Sequence, residues 1–153
     1  MNVLLFHGRG FVSWAIRCQT RGKYSHAALE LRDGSIIEAW QGAGVRRLRE
    51  LKHGWDGVDR YRTALALPVD IEDKLEYEAM KILGLKPKYD YWGVLRFVSR
   101  SSKGDLNTYF CSELVMEVFC RAGYPLLEAP PWMVAPHHLS WSTRLVKTNM
   151  WRP

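Results

Sequence analysis

Cysteine is scarce in this chain. Cys18, Cys111 and Cys120 are its three thiols among 153 residues, and an odd count without metal-like spacing argues against both a disulfide framework and a zinc site. No cofactor is expected. No apolar run approaches the roughly 20 residues of a membrane span. The opening Met1-Asn2-Val3-Leu4-Leu5-Phe6-His7-Gly8 lacks the basic and long apolar regions of an export signal. Cytoplasmic residence follows as the expectation, and action elsewhere requires delivery, for instance by a phage. Repeats, linkers and low-complexity stretches are missing, so one domain over 1–153 is expected. Acidic residues are the minority, 16 against 22 Lys and Arg, giving a net charge of +6 and a pI near 9.4. That balance favours an anionic partner such as a cell-wall fragment or an acidic lipid surface. The densest basic stretch, Arg46-Arg47-Leu48-Arg49-Glu50-Leu51-Lys52, alternates like the solvated face of a strand, so nucleic acid is not expected.

What the chain does have is a hydrophobic fraction of 47% and seven tryptophans, enough for a packed core. A short apolar run over 3–7 reads as a strand ended by Gly8-Arg9-Gly10. A short helix over 13–20 is expected with Ser13 as its cap. Apolar runs over 26–31 and 35–40 flank Arg32-Asp33-Gly34, a hairpin signal. Further strands are expected over 45–50 and 58–63, then a helix capped by Asp70 and ended by Gly84. Residues 86–93 read as an aromatic loop, 95–98 as an apolar run and 101–105 as the most loop-like stretch. The helix over 111–122 carries Leu114, Val115, Val118 and Phe119 on one stripe and closes at Gly123. The tail from 130 is expected to pack irregularly. Strands in the middle with helices around them give an α+β class.

The chemistry centres on Cys111 in Tyr109-Phe110-Cys111-Ser112-Glu113. At a helix N-terminus a thiol meets unpaired N–H groups and the positive dipole end, both of which favour thiolate. His26, heading a strand run, is the candidate base. A third polar group is needed to orient it. If Arg32-Asp33-Gly34 forms a three-residue loop, Leu31 pairs with Ser35, and His26 and Glu38 become diagonal neighbours on one face. A two-residue turn sets Gln41 across from His26 instead. The first register is expected because it brings a carboxylate to the imidazole; Gln41 is the alternative. Each residue also has a plain structural reading: His26 bonded to a loop, Cys111 as a small core residue, Glu38 paired with a neighbouring arginine. Tyr24 and Tyr109 flank the two candidates as pocket walls, with Asp90 as a candidate amine-binding group. His137-His138, His7, His53, Cys18 and Cys120 are assigned no site role.

Tyr24-Ser25-His26-Ala27-Ala28-Leu29, then Asp33-Gly34 with Ile36-Ile37-Glu38-Ala39, then Phe110-Cys111-Ser112-Glu113-Leu114-Val115 resemble the circularly permuted papain-like proteins of the YiiX type. These are related to the NlpC-type cell-wall peptidases. The order matches, since the histidine strand precedes the cysteine helix. Lys88-Tyr89-Asp90-Tyr91 and Ala135-Pro136-His137-His138-Leu139 are weaker echoes. The resemblance implies a small antiparallel sheet or barrel packed on the cysteine helix, with Cys111 as nucleophile, His26 as base and Glu38 as orienting residue. It further implies a thiol hydrolase of amide bonds, with peptidoglycan stem peptides as the first substrate class. Lipid acyl transfer or thioester hydrolysis by the same site, and a non-catalytic peptide- or lipid-binding module, stay open beside it.

Overall fold

The computed structural model describes residues 1–8, 18, 21–51, 55–89 and 108–151. A six-stranded antiparallel sheet is built from β1 (Asn2–Gly8), β2 (His26–Glu30), β3 (Ile36–Trp40), β4 (Gly44–Leu48), β5 (Trp55–Thr63) and β8 (Leu145–Trp151). Its order is β4-β3-β2-β1-β5-β8. Two helices, α1 (Val69–Gly84) and α2 (Cys111–Arg121), accompany it, with a single helical turn, α3 (Pro136–Leu139). A two-residue parallel pair, β6 (Lys88–Tyr89) and β7 (Thr108–Tyr109), leads into α2. The α+β class and the antiparallel sheet packed on the cysteine helix are therefore observed.

Val3, Leu4, Leu5 and Phe6 in β1 are all buried, as an unbroken apolar run must be when both faces of a strand are covered. Val3, Leu5, Ala27, Leu29 and Ile37 pack with Leu114, Val115 and Val118 of α2 and Leu75, Ala79 and Ile82 of α1. On the other side Leu4, Phe6, Ala28, Ile36 and Val58 form a smaller cluster. The period of two along each strand sends alternate residues to the two layers.

The β2–β3 hairpin follows the three-residue register. The Leu31 N–H donates to the Ser35 carbonyl at 2.8 Å and the Gly34 N–H to the Leu31 carbonyl at 3.1 Å. Gly34 takes φ +81°, the left-handed conformation such a loop needs. Asp33 secures the turn by accepting from the Ser35 N–H at 2.9 Å and its hydroxyl at 2.6 Å. Glu30 pairs with Ile36 and Leu29 with Ile37, the register that puts His26 and Glu38 on one face of the hairpin.

A buried carboxylate joins β1, β5 and β8. Asp59 on β5 is 1% exposed. Its Oδ2 accepts from the Tyr24 hydroxyl and lies 2.8 Å from Lys147 Nζ of β8, 3.4 Å from His7 Nε2 and 3.6 Å from Lys23 Nζ. Burial pushes the Asp59 carboxyl up, but hydrogen bonds from Lys147, Tyr24 and His7 outweigh it and hold the group at about 2.

Two expectations need correction. Pro68, not Asp70, occupies the cap position of α1 without a side-chain bond, and Asp70 sits in the first turn, where its charge suits the helix dipole. The helix ends at Gly84 as expected, and the left-handed residue beyond it is Lys86 at φ +49°. The tail is not irregular throughout: over Leu145–Trp151 it forms β8, which completes the open edge that β5 supplies. The expected helix over 13–20, apart from Cys18, the run over 95–98 and the loop over 101–105 lie outside the described residues.

Two glycines separate steric from conformational demands. Gly44, at φ +69°, faces the Pro87 carbonyl oxygen where a Cβ would collide, whereas Gly34 has open space around it. Gly34→Ala is expected to cost about 1 kcal/mol for its φ alone, and Gly44→Ala about 2–3 kcal/mol for φ plus collision. Urea denaturation of the two variants measures both; equal costs would refute the steric part.

Candidate active site

α2 begins where an extended Phe110, at φ −99° and ψ 171°, gives way to helical backbone at Cys111. The Phe110 N–H donates to Glu113 Oε2 at 3.4 Å, the returning half of a capping arrangement. The Ser112 hydroxyl donates to the Val134 carbonyl at 2.6 Å, which ties the first turn to the segment preceding α3. These contacts fix the cysteine at the end of a rigid element. As a first-turn residue, Cys111 has a backbone N–H that lacks an intrahelical acceptor.

His26 Nε2 lies 2.7 Å from Glu38 Oε2. Both side chains are buried, with His26 6% and Glu38 2% exposed. One ring nitrogen thus belongs to the carboxylate, which leaves Nδ1 as the nitrogen for any further partner. That partner is Cys111: burial lowers the His26 pKa, but the charge and hydrogen bond of Cys111, then those of Glu38, overturn it and raise it to about 9. Glu38 shows the converse balance. Burial raises its carboxyl, and bonds and charges from His26 and Arg46 bring it below the usual carboxylate value. The three residues expected to share a site are therefore brought together, with Glu38 rather than Gln41 against the imidazole; Gln41 is exposed.

Aromatic side chains close around the imidazole. Phe6 stands 5.2 Å from it on β1, and Trp40 meets it edge-on at 5.3 Å. Such contacts keep water from the His26–Glu38 bond and fix the ring plane. Arg46 was not singled out in the sequence. It sits directly opposite Glu38 on β4, donates through Nε at 2.9 Å and Nη2 at 2.6 Å to Glu38 Oε1, and lies 4.8 Å over the Trp40 ring. The alternation of the basic stretch, applied in register with β3, was the available signal.

The flanking tyrosines have hydroxyls committed elsewhere. Tyr24 is fully buried, and its hydroxyl bonds Asp59 and, at 2.9 Å, Tyr61. The Tyr109 hydroxyl accepts from Arg121 Nη2 at 3.2 Å. Asp90 lies outside the described residues. His137 and His138 occupy α3, and the His138 Nδ1 accepts from the Ala135 N–H at 3.2 Å. Cys120 is part-buried and Cys18 exposed.

No protein-family model matches the chain. A curated relative, the "Probable lipoprotein peptidase YaeF" of Escherichia coli (strain K12), is 25% identical over 174 aligned positions, taking in 90% of this chain and 61% of the relative. The chain thus spans about three fifths of that relative's length. Among solved structures, the metalloprotein yiiX from Escherichia coli O157:H7 superimposes with a TM-score of 0.68 at 18% identity, covering 99% of this chain and 97% of that one. The resemblance to YiiX-type proteins is borne out, and the fold is theirs. Cytoplasmic residence is corrected: the curated relative is named a lipoprotein, which conflicts with that placement. No helix among the described residues is long and apolar enough to cross a membrane. That neighbour is named a metalloprotein, but among the described residues of this chain no group of three or more His, Cys, Asp or Glu side chains is gathered to hold a metal ion.

The raised His26 pKa makes stability depend on pH with a defined sign. A group whose pKa rises on folding stabilises fully below its unfolded value, about 6.5, and loses that contribution as pH climbs through the folded value. Folding stability measured by urea titration is expected to fall as pH rises from about 6.5 through about 9. His26→Gln is expected to abolish that part of the slope; an unchanged slope refutes the assignment.

Proposed function

From this YiiX-like fold we propose a cysteine-nucleophile hydrolase of amide bonds, with peptidoglycan stem peptides or a related peptide amide as substrate. The observation that carries the reading is the single imidazole held between a buried carboxylate and the thiol of a helix N-terminus. The peptidase name of the curated relative supports the reaction class. In this mechanism Cys111 transfers its proton to His26, and the thiolate attacks the carbonyl carbon of the substrate amide. The first-turn N–H of Cys111 donates to the oxyanion that forms. As the tetrahedral intermediate collapses, the C–N bond breaks and His26 delivers its proton to the departing amine. Water then attacks the thioester, giving its proton to His26, and the acid product leaves with the thiol restored. Glu38 keeps the imidazole oriented through both proton transfers and stabilises its charged form. Asp90 stands as the group for a substrate amine, while the hydroxyls of Tyr24 and Tyr109, committed to Asp59 and Arg121, take no part in the chemistry.

The same acyl-enzyme chemistry serves acyl phospholipids, and the basic charge of +6 favours an anionic lipid surface as it does a wall fragment. Incubation with purified wall fragments and, separately, with acyl phospholipids distinguishes them by the appearance of a new amine or a free fatty acid. Cys111→Ala and His26→Ala are each expected to lower turnover at least 1,000-fold, as loss of a nucleophile or its base does. A Cys111→Ala protein that retains turnover, or a wild-type protein that binds wall fragments without cleaving any amide, refutes the reading.

A further inference from the structure

We propose that Arg46 is a positioning residue of this site: its guanidinium occupies one oxygen of Glu38 so that the other faces His26, and it supplies the last counter-charge in the row Cys111, His26, Glu38, Arg46. The inference rests on the reading of Cys111 and His26 as the reacting pair.

The geometry has three parts. Both Arg46 bonds go to Oε1 of Glu38, while Oε2 alone faces His26. Two donors on one oxygen fix the rotation of the carboxylate, so its second oxygen cannot swing away from the ring. Trp40 then fills the space between the two cations, its face under the guanidinium at 4.8 Å and its ring edge-on to His26 at 5.3 Å. Arg46, Glu38, His26 and Trp40 thus form a closed circuit in which each side chain limits the rotamers of the next.

Charge gives a second argument. With the thiolate formed, signs along the row alternate: negative at Cys111, positive at His26, negative at Glu38, positive at Arg46. The row sums to zero. Glu38 is only 2% exposed, and an uncompensated charge at such a site is costly. Without Arg46 the row carries a net negative charge. Proton uptake by Glu38, or retention of the proton by the thiol, relieves it. Either outcome reduces the reactive form on the acid side. Among the described residues the groups facing His26 include Cys111 from α2, Glu38 and Trp40 from β3, and Phe6 from β1. Those facing Glu38 include His26 and Arg46. The Arg46 side chain is 31% exposed, so the terminal charge of the row stays solvated and inexpensive to hold.

The test reads thiol reactivity, which requires no identified substrate. The rate of Cys111 alkylation by iodoacetamide, followed by mass spectrometry of the Cys111 peptide, is measured from pH 4 to 10 for wild type, Arg46→Met, Arg46→Lys, Glu38→Gln and the Glu38→Gln/Arg46→Met pair. Circular dichroism checks folding, and Arg46→Gln replaces Arg46→Met if the latter does not fold. Arg46→Met is expected to slow alkylation about tenfold on the acid limb, moving that limb up by about one pH unit. Arg46→Lys restores the limb through charge. In the Glu38→Gln background Arg46→Met has no further effect, because Arg46 acts through the carboxylate. A wild-type profile in Arg46→Met, or an undiminished effect of Arg46→Met in the Glu38→Gln background, overturns the proposal while the cysteine reading stands. Wild-type Cys111 reacting no faster than a free thiol at every pH overturns the cysteine reading and this inference with it.

Discussion

Pairing register between β2 and β3 is the constraint on which the site depends. A slip of one residue exchanges the two faces of a strand, and would send Glu38 away from His26 into the layer that packs on α2. Register is enforced at the turn, by the left-handed Gly34 and by the Asp33 carboxylate bonded to Ser35. It is also enforced from outside. The Arg32 N–H donates to Glu76 Oε1 at 2.8 Å, and its guanidinium reaches Asp73 at 2.7 Å and Glu76 at 3.0 Å. These bonds are exposed and individually weak, yet they hold the hairpin tip against α1, so helix and turn agree on one alignment.

Glu38 brings together two descriptions that looked exclusive. A strand carboxylate beside an arginine ordinarily reads as a structural ion pair, and one beside a histidine as an orienting group. Here separate oxygens serve separate partners. A carboxylate has lone pairs enough for both, and the low exposure of the pair makes each bond matter more than at a surface. The two aromatic walls, Phe6 and Trp40, arise from the same strand alternation that supplies the core. The site is an extension of the sheet's own packing into a polar row.

Much of this was legible because it is local or periodic. The turn residues specify the hairpin, the hairpin specifies which carboxylate meets the imidazole, and the apolar stripe of α2 specifies which side of that helix is buried. What escaped was set by distant partners. β8 forms because β5 leaves an edge unpaired, and nothing within residues 145–151 announces that neighbour. Arg46 was visible as one basic residue among several; its role emerges only once β4 is aligned on β3, with Glu38 directly opposite. The hydroxyl of Tyr24 illustrates the same limit. Its place in the chain, two residues before His26, suggested a wall of the pocket, while the fold turns the hydroxyl toward Asp59 on a strand far along the sequence. The stop of α1 at Gly84 was legible, although the left-handed geometry beyond it falls to a lysine, Lys86, and not to the glycine.

The cluster at Asp59 has a consequence for how the sheet comes apart in acid. Its carboxyl stays ionised down to about 2, so the clasp that Lys147 makes from the final strand survives conditions under which ordinary carboxylates, titrating near 4, have already neutralised. Acid unravelling of this molecule therefore begins away from that clasp, and the C-terminal strand keeps its charge-paired hold on the sheet after ordinary carboxylates are neutral.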